Sequence, residues 1–220
     1  MSLWVIVGAS RGIGLEMARQ LRARGEEVIA TTRAPSPALE QIGCEVVEGV
    51  DVATDDGPRR LAEAIGAREV DVLVHNAGVL VGDNLMTLDF NEALRHYDIN
   101  ALGPLRVVRA LLPKLAEGGK IGIVTSRVGS LSDNQSGGNY AYRMSKAAAN
   151  MAVVNLSHEL RDLGMIVLAL HPGYVRTDMT HGRGNIEADT AARGLIMRLD
   201  KATLDDTGTF WHAEGYPLPW

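Results

Sequence analysis

Tyr142 and Lys146 stand four residues apart in Tyr142-Arg143-Met144-Ser145-Lys146, inside a stretch whose pattern predicts helix. One helical turn puts the phenol and the ammonium on the same face. A nearby cation favours the phenolate and draws a phenol pKa down from about 10 toward the working pH. A tyrosine so placed can give or take a proton. Such a pair also occurs in ordinary surface helices, so its meaning depends on what the chain brings beside it.

The second chemical feature lies at the other end of the chain. Gly8-Ala9-Ser10-Arg11-Gly12-Ile13-Gly14 directly follows a short apolar run and opens an amphipathic segment. Gly8 allows a tight turn, Gly12 lets the backbone approach a phosphate, and Gly14 permits close helix packing. The helix start directs free amides and its positive end at that phosphate. A flexible turn would need none of this context, whereas a dinucleotide does. Val28-Ile29-Ala30-Thr31-Thr32-Arg33 then has no acid at the strand tip, where a NAD site commonly carries one for the ribose. Arg33, helped by Arg11, can instead pair with a ribose phosphate, which favours NADP(H) over NAD(H). Solvated surface arginines are the alternative for both. Asp51, with Val52 behind it, follows the third strand and can accept from an adenine amine or serve as a turn acid. Asn76-Ala77-Gly78 ends the fourth strand with small residues that can line the same trough.

These groups need a scaffold that gathers strand ends. Apolar runs at 3–7, 27–31, 45–50, 70–75, 120–125, 165–170 and 209–212 predict strands. Helical patterns fill 13–24, 55–65, 90–116, 140–163 and 188–199, with a bend or stop expected near Gly103-Pro104. Strands with little polar alternation, separated by amphipathic helices, predict a Rossmann-like, doubly wound parallel α/β sheet. No linker or repeat divides residues 1–220, so a single nucleotide-binding domain is expected. Ligands of such sheets gather beyond the carboxyl ends of the strands, where all the segments above fall.

Composition narrows the function classes. The chain has 220 residues, 46% hydrophobic and 22% charged, with a formal net charge of −5 and no basic tract for nucleic acid. Met1 to Val5 runs into a strand without the layout of a secretory signal, and no apolar run approaches membrane-spanning length. A soluble cytoplasmic protein, with neither nucleic acid nor membrane as partner, is the expectation. The single cysteine, Cys44, excludes an internal disulfide and reads as a small buried hydrophobe. His171 has no clustered ligands in sequence, so no metal is expected. Met144 and Met151 read as packing residues.

Taken in order, these motifs resemble the short-chain dehydrogenase/reductase family over nearly the whole chain. The glycine loop, Asn76-Ala77-Gly78, a serine after the fifth strand, Tyr142-x-x-x-Lys146 and Pro172-Gly173-Tyr174-Val175-Arg176-Thr177 follow the family's sequence of parts. More closely, Ser126-Arg127-Val128-Gly129-Ser130, Ser136 to Arg143 and Gly215 to Trp220 resemble its branch of small carbonyl reductases. The resemblance implies reversible hydride transfer between a nicotinamide and a carbonyl or secondary alcohol. It assigns Ser126 to hold the carbonyl oxygen, with Ser130 and Ser132 as nearby alternatives, and Tyr142 as the acid/base residue. It makes Lys146 both a Tyr142 partner and a ligand of the nicotinamide ribose. It also gives Asn100 a water in a proton relay; from composition alone, Asn100 reads as a local hydrogen-bonder. Pro172, Gly173, Val175 and Thr177 would close over the nicotinamide.

Residues 129–139 and 177–189 are expected to border a substrate pocket, with Leu131, Tyr174 and Met179 facing an apolar substrate or packing their loops. The partner set is therefore a small carbonyl or alcohol and a second copy of the chain. The resemblance implies a homodimer, with a tetramer as the alternative, through segments 90–116 and 140–163. A dinucleotide-binding sensor whose redox activity is weak is the competing function.

Overall fold

The computed structural model describes residues 1–220. Seven strands, β1 (Leu3–Val7), β2 (Glu27–Thr31), β3 (Glu45–Val47), β4 (Val70–His75), β5 (Leu115–Val124), β6 (Ile166–His171) and β7 (Thr209–His212), form one sheet. All are parallel, in the order β3-β2-β1-β4-β5-β6-β7. The chain builds outward from β1 to β3, then returns to β1 and builds the other way through β4. That reversal opens a crevice between the carboxyl ends of β1 and β4.

Alternation in the strands sorts the core into two layers. Leu3, Val5 and Val7 of β1 face one side, and Trp4 and Ile6 face the other. The first layer is covered by α3 (Asp56–Ile65), α5 (Gly103–Leu111) and α6 (Tyr140–Glu159), through Leu61, Val107, Leu111 and Val153. The second is covered by α1 (Gly12–Ala23) and α7 (Ala188–Lys201), through Met17, Leu21, Leu195 and Leu199. Each such aliphatic side chain contributes about 1.5–3 kcal/mol on burial. A short α2 (Pro37–Glu40) follows β2, and α4 (Phe90–Tyr97) packs on α6.

The sequence-predicted elements differ from the observed ones where local chemistry overrides the pattern. The expected long helix over 90–116 is α4, a wider π turn over Asp98–Leu102, then α5 and a short 3-10 turn at Leu112–Lys114. Pro104 has no N–H to return to the carbonyl of Asn100 four residues back. Within the widened turn the Gly103 N–H reaches the Asp98 carbonyl, five residues back. The fifth strand starts earlier than expected, at Leu115, and shifts register against β4 between Val70 and Val72. Gly118, at φ +72°, lies in that irregular stretch. No helix is long and apolar enough to cross a membrane.

Candidate active site

The crevice beyond β1 and β4 is a groove of about 450 Å³. Its walls include Gly8, Ser10, Arg11, Gly12 and Ile13 from the first loop and Arg33 beyond β2. Asp51 and Val52 stand beyond β3, Asn76, Ala77 and Gly78 beyond β4, and Thr177 on the far side. Two glycines shape it. Gly8 has φ +80°, and a Cβ there would lie 2.7 Å from Ala77 Cα; a Cβ on Gly14 would lie 2.5 Å from the Gly8 carbonyl. Gly14 therefore sits beneath the loop as a packing residue. Thr31 Oγ1 accepts the Gly8 N–H at 3.1 Å, and Asn76 Nδ2 donates to the Gly8 carbonyl at 2.7 Å, so both neighbouring strands hold the turn. Arg11 precedes α1 without a side-chain cap, and the first helical amides receive no acceptor from it. A cradle of close backbone, an uncapped helix start and a cleft of this size fit the diphosphate of a dinucleotide.

The charged groups at the outer end are unequal. Arg33 is exposed and makes no hydrogen bond or ion pair. Arg11 is instead paired with Asp178 across the groove at 3.5 Å. Asp51 Oδ1 accepts from the Ala53 N–H at 3.0 Å, the turn-acid role, while its residue still lines the groove. Pro172, Gly173 and Val175 do not form the groove wall: Val175 is buried and bridges Ile186, and Gly173 turns at φ +94° against the Ile186 side chain.

Gly78 joins the groove to a second cluster. A methyl there would lie 3.1 Å from Asn100 Oδ1 and 3.6 Å from Lys146 Nζ. Lys146 is buried one turn into the site from Tyr142, its Nζ donating to the Val124 carbonyl at 3.0 Å. No carboxylate pairs with it, and burial pushes it down to about 8. Tyr142 shows the opposite sign. Burial pushes the phenol up to about 12, and the approach of the Ser126 hydroxyl draws it back only in part. Lys146 Nζ lies 5.7 Å from the ring centroid, and the upward push of burial, not the expected lowering by Lys146, sets the direction for the phenol. The phenol keeps its proton at neutral pH.

Ser126 follows β5 and faces Tyr142, whereas the hydroxyls of Ser130 and Ser132 both donate to the Trp220 carbonyl, at 2.9 and 2.7 Å. Asn100 spends its side chain locally. Its amide donates to the Val79 carbonyl and Ser145 Oγ, and its oxygen accepts from the Val79 N–H. The Tyr142 ring is met edge-on by His96, which is fully buried and accepts from the Val81 N–H. Trp220 stacks on Phe210 at 5.4 Å. Burial and neighbouring charge push His75 and His171 down to about 3, which keeps both neutral beside Lys146. No three His, Cys, Asp or Glu side chains converge on a common point.

The substrate side is open. Leu131, Tyr174 and Met179 are all exposed. Met144 and Met151, expected as packing, are exposed on the outer face of α6, because the helix turns Lys146, Ala149 and Val153 inward instead. Sequence reasoning did not single out Asp83, His96, Thr31 or the pairing of Trp220 with the serine loop. Each acts on a partner distant in the chain, and no local pattern marks it.

Residues 3–187 match the short chain dehydrogenase family, and the chain belongs to it. It is 45% identical, over the full length of both chains, to 1-hydroxy-2-glutathionyl-2-methyl-3-butene dehydrogenase of Rhodococcus sp. (strain AD45). It is 43% identical to the C-signal protein of Myxococcus xanthus, over 74% of this chain and 99% of that one. Among solved structures, a carbonyl reductase from Pseudomonas aeruginosa PAO1 in complex with NADP superposes with a TM-score of 0.89. That protein is 33% identical, and each chain is covered completely. The chain is accordingly an oxidoreductase of the short-chain type.

Proposed function

We propose that this protein is an NADP(H)-dependent oxidoreductase that interconverts a carbonyl and a secondary alcohol, acting as a carbonyl reductase. The observation that carries this is the cluster of buried Ser126 and Lys146 with half-buried Tyr142, which Gly78 joins to a phosphate-cradling groove. When bound there, the dinucleotide supplies hydride in reduction and accepts it in oxidation.

Gly8, Ser10, Gly12, Ile13 and the start of α1 hold the diphosphate. Arg33, the unpaired cation at the groove mouth, takes the ribose phosphate, which supports NADP over NAD. Asn76, Ala77 and Gly78 floor the trough, and Thr177 closes its far side, carried there by the Pro172-Gly173-Tyr174-Val175 segment packed behind it. Ser126 donates to the substrate oxygen and holds it beside the Tyr142 hydroxyl. In reduction Tyr142 gives its proton to that oxygen as negative charge develops there; in oxidation it takes the proton back. A phenol held high stays protonated at neutral pH and so begins as the acid. Lys146 hydrogen-bonds the nicotinamide ribose and stabilises the phenolate left behind. Asn100 anchors the water that returns the proton. The Rhodococcus relative is named a dehydrogenase of a hydroxy compound, which supports assaying the alcohol direction beside reduction.

The chain acts as a homodimer in this account, with Phe90, Leu94 and Tyr97 of α4 and Met144 and Met151 of α6 as exposed apolar candidates for the interface. The C-signal relative supports a second reading, a dinucleotide-dependent signalling protein. It would gain if cofactor binding changed affinity for a partner and Tyr142→Phe left that change intact. Initial rates with NADPH and NADH, over aldehydes, ketones, quinones, diketones and the reverse alcohols, test the enzyme. Turnover faster with NADPH is expected; a folded, cofactor-binding protein inert toward the whole panel would count against it.

A further inference from the structure

The helix that carries Tyr142 and Lys146 does not cap itself. Residues 137 and 138 are glycines at φ +63° and +65°, and Asn139 enters α6 in the left-handed region at φ 48° with no side-chain cap. The first amides of a helix have no partner within it. Here they find one 57 residues back in the chain. The Asp83 carboxylate accepts from the Tyr140 N–H and, at 3.0 Å, from the Ala141 N–H. The Asp83 carbonyl accepts from the Asn139 N–H at 2.9 Å. Three consecutive amides, ending one residue before Tyr142, thus close on a single residue of another loop. Its negative charge also faces the positive end of α6.

The loop carrying Asp83 is anchored at its other end. It leaves the Asn76-Ala77-Gly78 trough, is held at Val79 by both sides of the Asn100 amide, and is held at Val81 by His96. His96 in turn meets the Tyr142 ring. Asn100 also reaches α6 directly, through Ser145. Residues 79–83 are therefore a strap between the floor of the trough and the first turn of the helix. Lys146 has its own tie, to Val124. The strap bears on Tyr142 more than on Lys146.

We propose that Asp83 is a positioning residue for the reaction: it caps α6 across the fold and fixes Tyr142 relative to the trough. This rests on Tyr142 being the acid/base group. Asp83→Ala should leave the first turn of α6 free to fray, displacing the phenol. A misplacement of about 1 Å is enough to lower kcat by about 100-fold. The affinity for NADPH, held elsewhere, should change less than about threefold by the same geometric reasoning. Asp83→Asn keeps one acceptor oxygen and should recover part of the loss.

The test pairs amide hydrogen exchange over residues 139–142 with steady-state kinetics and NADPH titration, on the wild type, Asp83→Ala and Asp83→Asn. Asp89→Ala, which strips a comparable cap from α4, is the matched control for lost stability. Faster exchange at 139–142 with a fall in kcat, unchanged NADPH affinity, partial recovery in Asp83→Asn and normal kcat in Asp89→Ala would support the proposal. Unchanged exchange would overturn the cap, and faster exchange with normal kcat would overturn the positioning role. An equal kcat loss in Asp89→Ala would also overturn it, by assigning the effect to general stability. A wild type without turnover would be a failure of the enzyme assignment instead, visible before any variant is compared.

Discussion

Lys146 should make the folded protein less stable at neutral pH than at pH 9.5, and Lys146→Met should remove its share of that difference. The ammonium is buried without a carboxylate, and its pKa falls from 10.5 to about 8. At about 1.4 kcal/mol per pKa unit, holding the proton in the fold costs about 3.5 kcal/mol well below pH 8. The sign follows from proton counting. Between pH 8 and 10.5 the unfolded chain binds the proton and the folded chain does not, so stability rises with pH across that window. About 2 kcal/mol should be regained between pH 7 and 9.5. The raised Tyr142 acts only above about 10, and Lys120, lowered by burial, and Cys44, raised by burial, titrate alike in both proteins and cancel in the comparison. The absolute stability of Lys146→Met at pH 7 is a poorer guide. Relief of the buried charge is set against a Val124 carbonyl left without its donor, which costs about 1–3 kcal/mol. Urea denaturation of wild type and Lys146→Met at pH 7.0, 8.5 and 9.5 reads the slope directly. Equal pH dependence in the two proteins would refute the claim that Lys146 is held in the fold as a desolvated cation.

Arg33→Ala should weaken NADPH binding by about 10- to 100-fold, the worth of a hydrogen bond to a charged group, and leave NADH binding nearly unchanged. Equal losses by fluorescence titration would remove Arg33 from phosphate recognition. Trp220→Ala keeps the main-chain oxygen that accepts from Ser130 and Ser132 but removes the ring that seats it on Phe210, so the loop should loosen and KM for the carbonyl rise while NADPH affinity holds. It should also lower stability by about 1–3 kcal/mol, because the ring stacks on Phe210 yet is partly exposed. Unchanged KM and an unchanged denaturation midpoint would separate the tail from the site.

Much of this architecture was legible because its signals are local. A parallel sheet buried on both faces leaves continuous apolar runs such as Leu3 to Val7 and Ile166 to Leu170, and the glycine loop announces the first strand-to-helix turn. The positions of Gly8, Gly12, Asn76 and Gly78 on one groove follow from that topology. What sequence did not reveal depends on distant partners or on dielectric. The Asp83 cap closes on amides 57 residues later, and the serine loop is tied to Trp220 near residue 220. Spacing shows the cation beside Tyr142 but not the burial that pushes the phenol up and the ammonium down. Met144 and Met151 were misread for a related reason: on a helix that packs on several elements, composition does not say which face is left outside.

In the proposed reaction Tyr142 moves the proton while the groove binds the dinucleotide. The most direct test of this is initial-rate NADPH oxidation by wild type and Tyr142→Phe with the best carbonyl of the panel, alongside NADPH titration of both. Loss of turnover by a factor of about 100 or more, with NADPH affinity retained, is expected for removal of a general acid. A Tyr142→Phe protein that turns over at the wild-type rate would contradict the account.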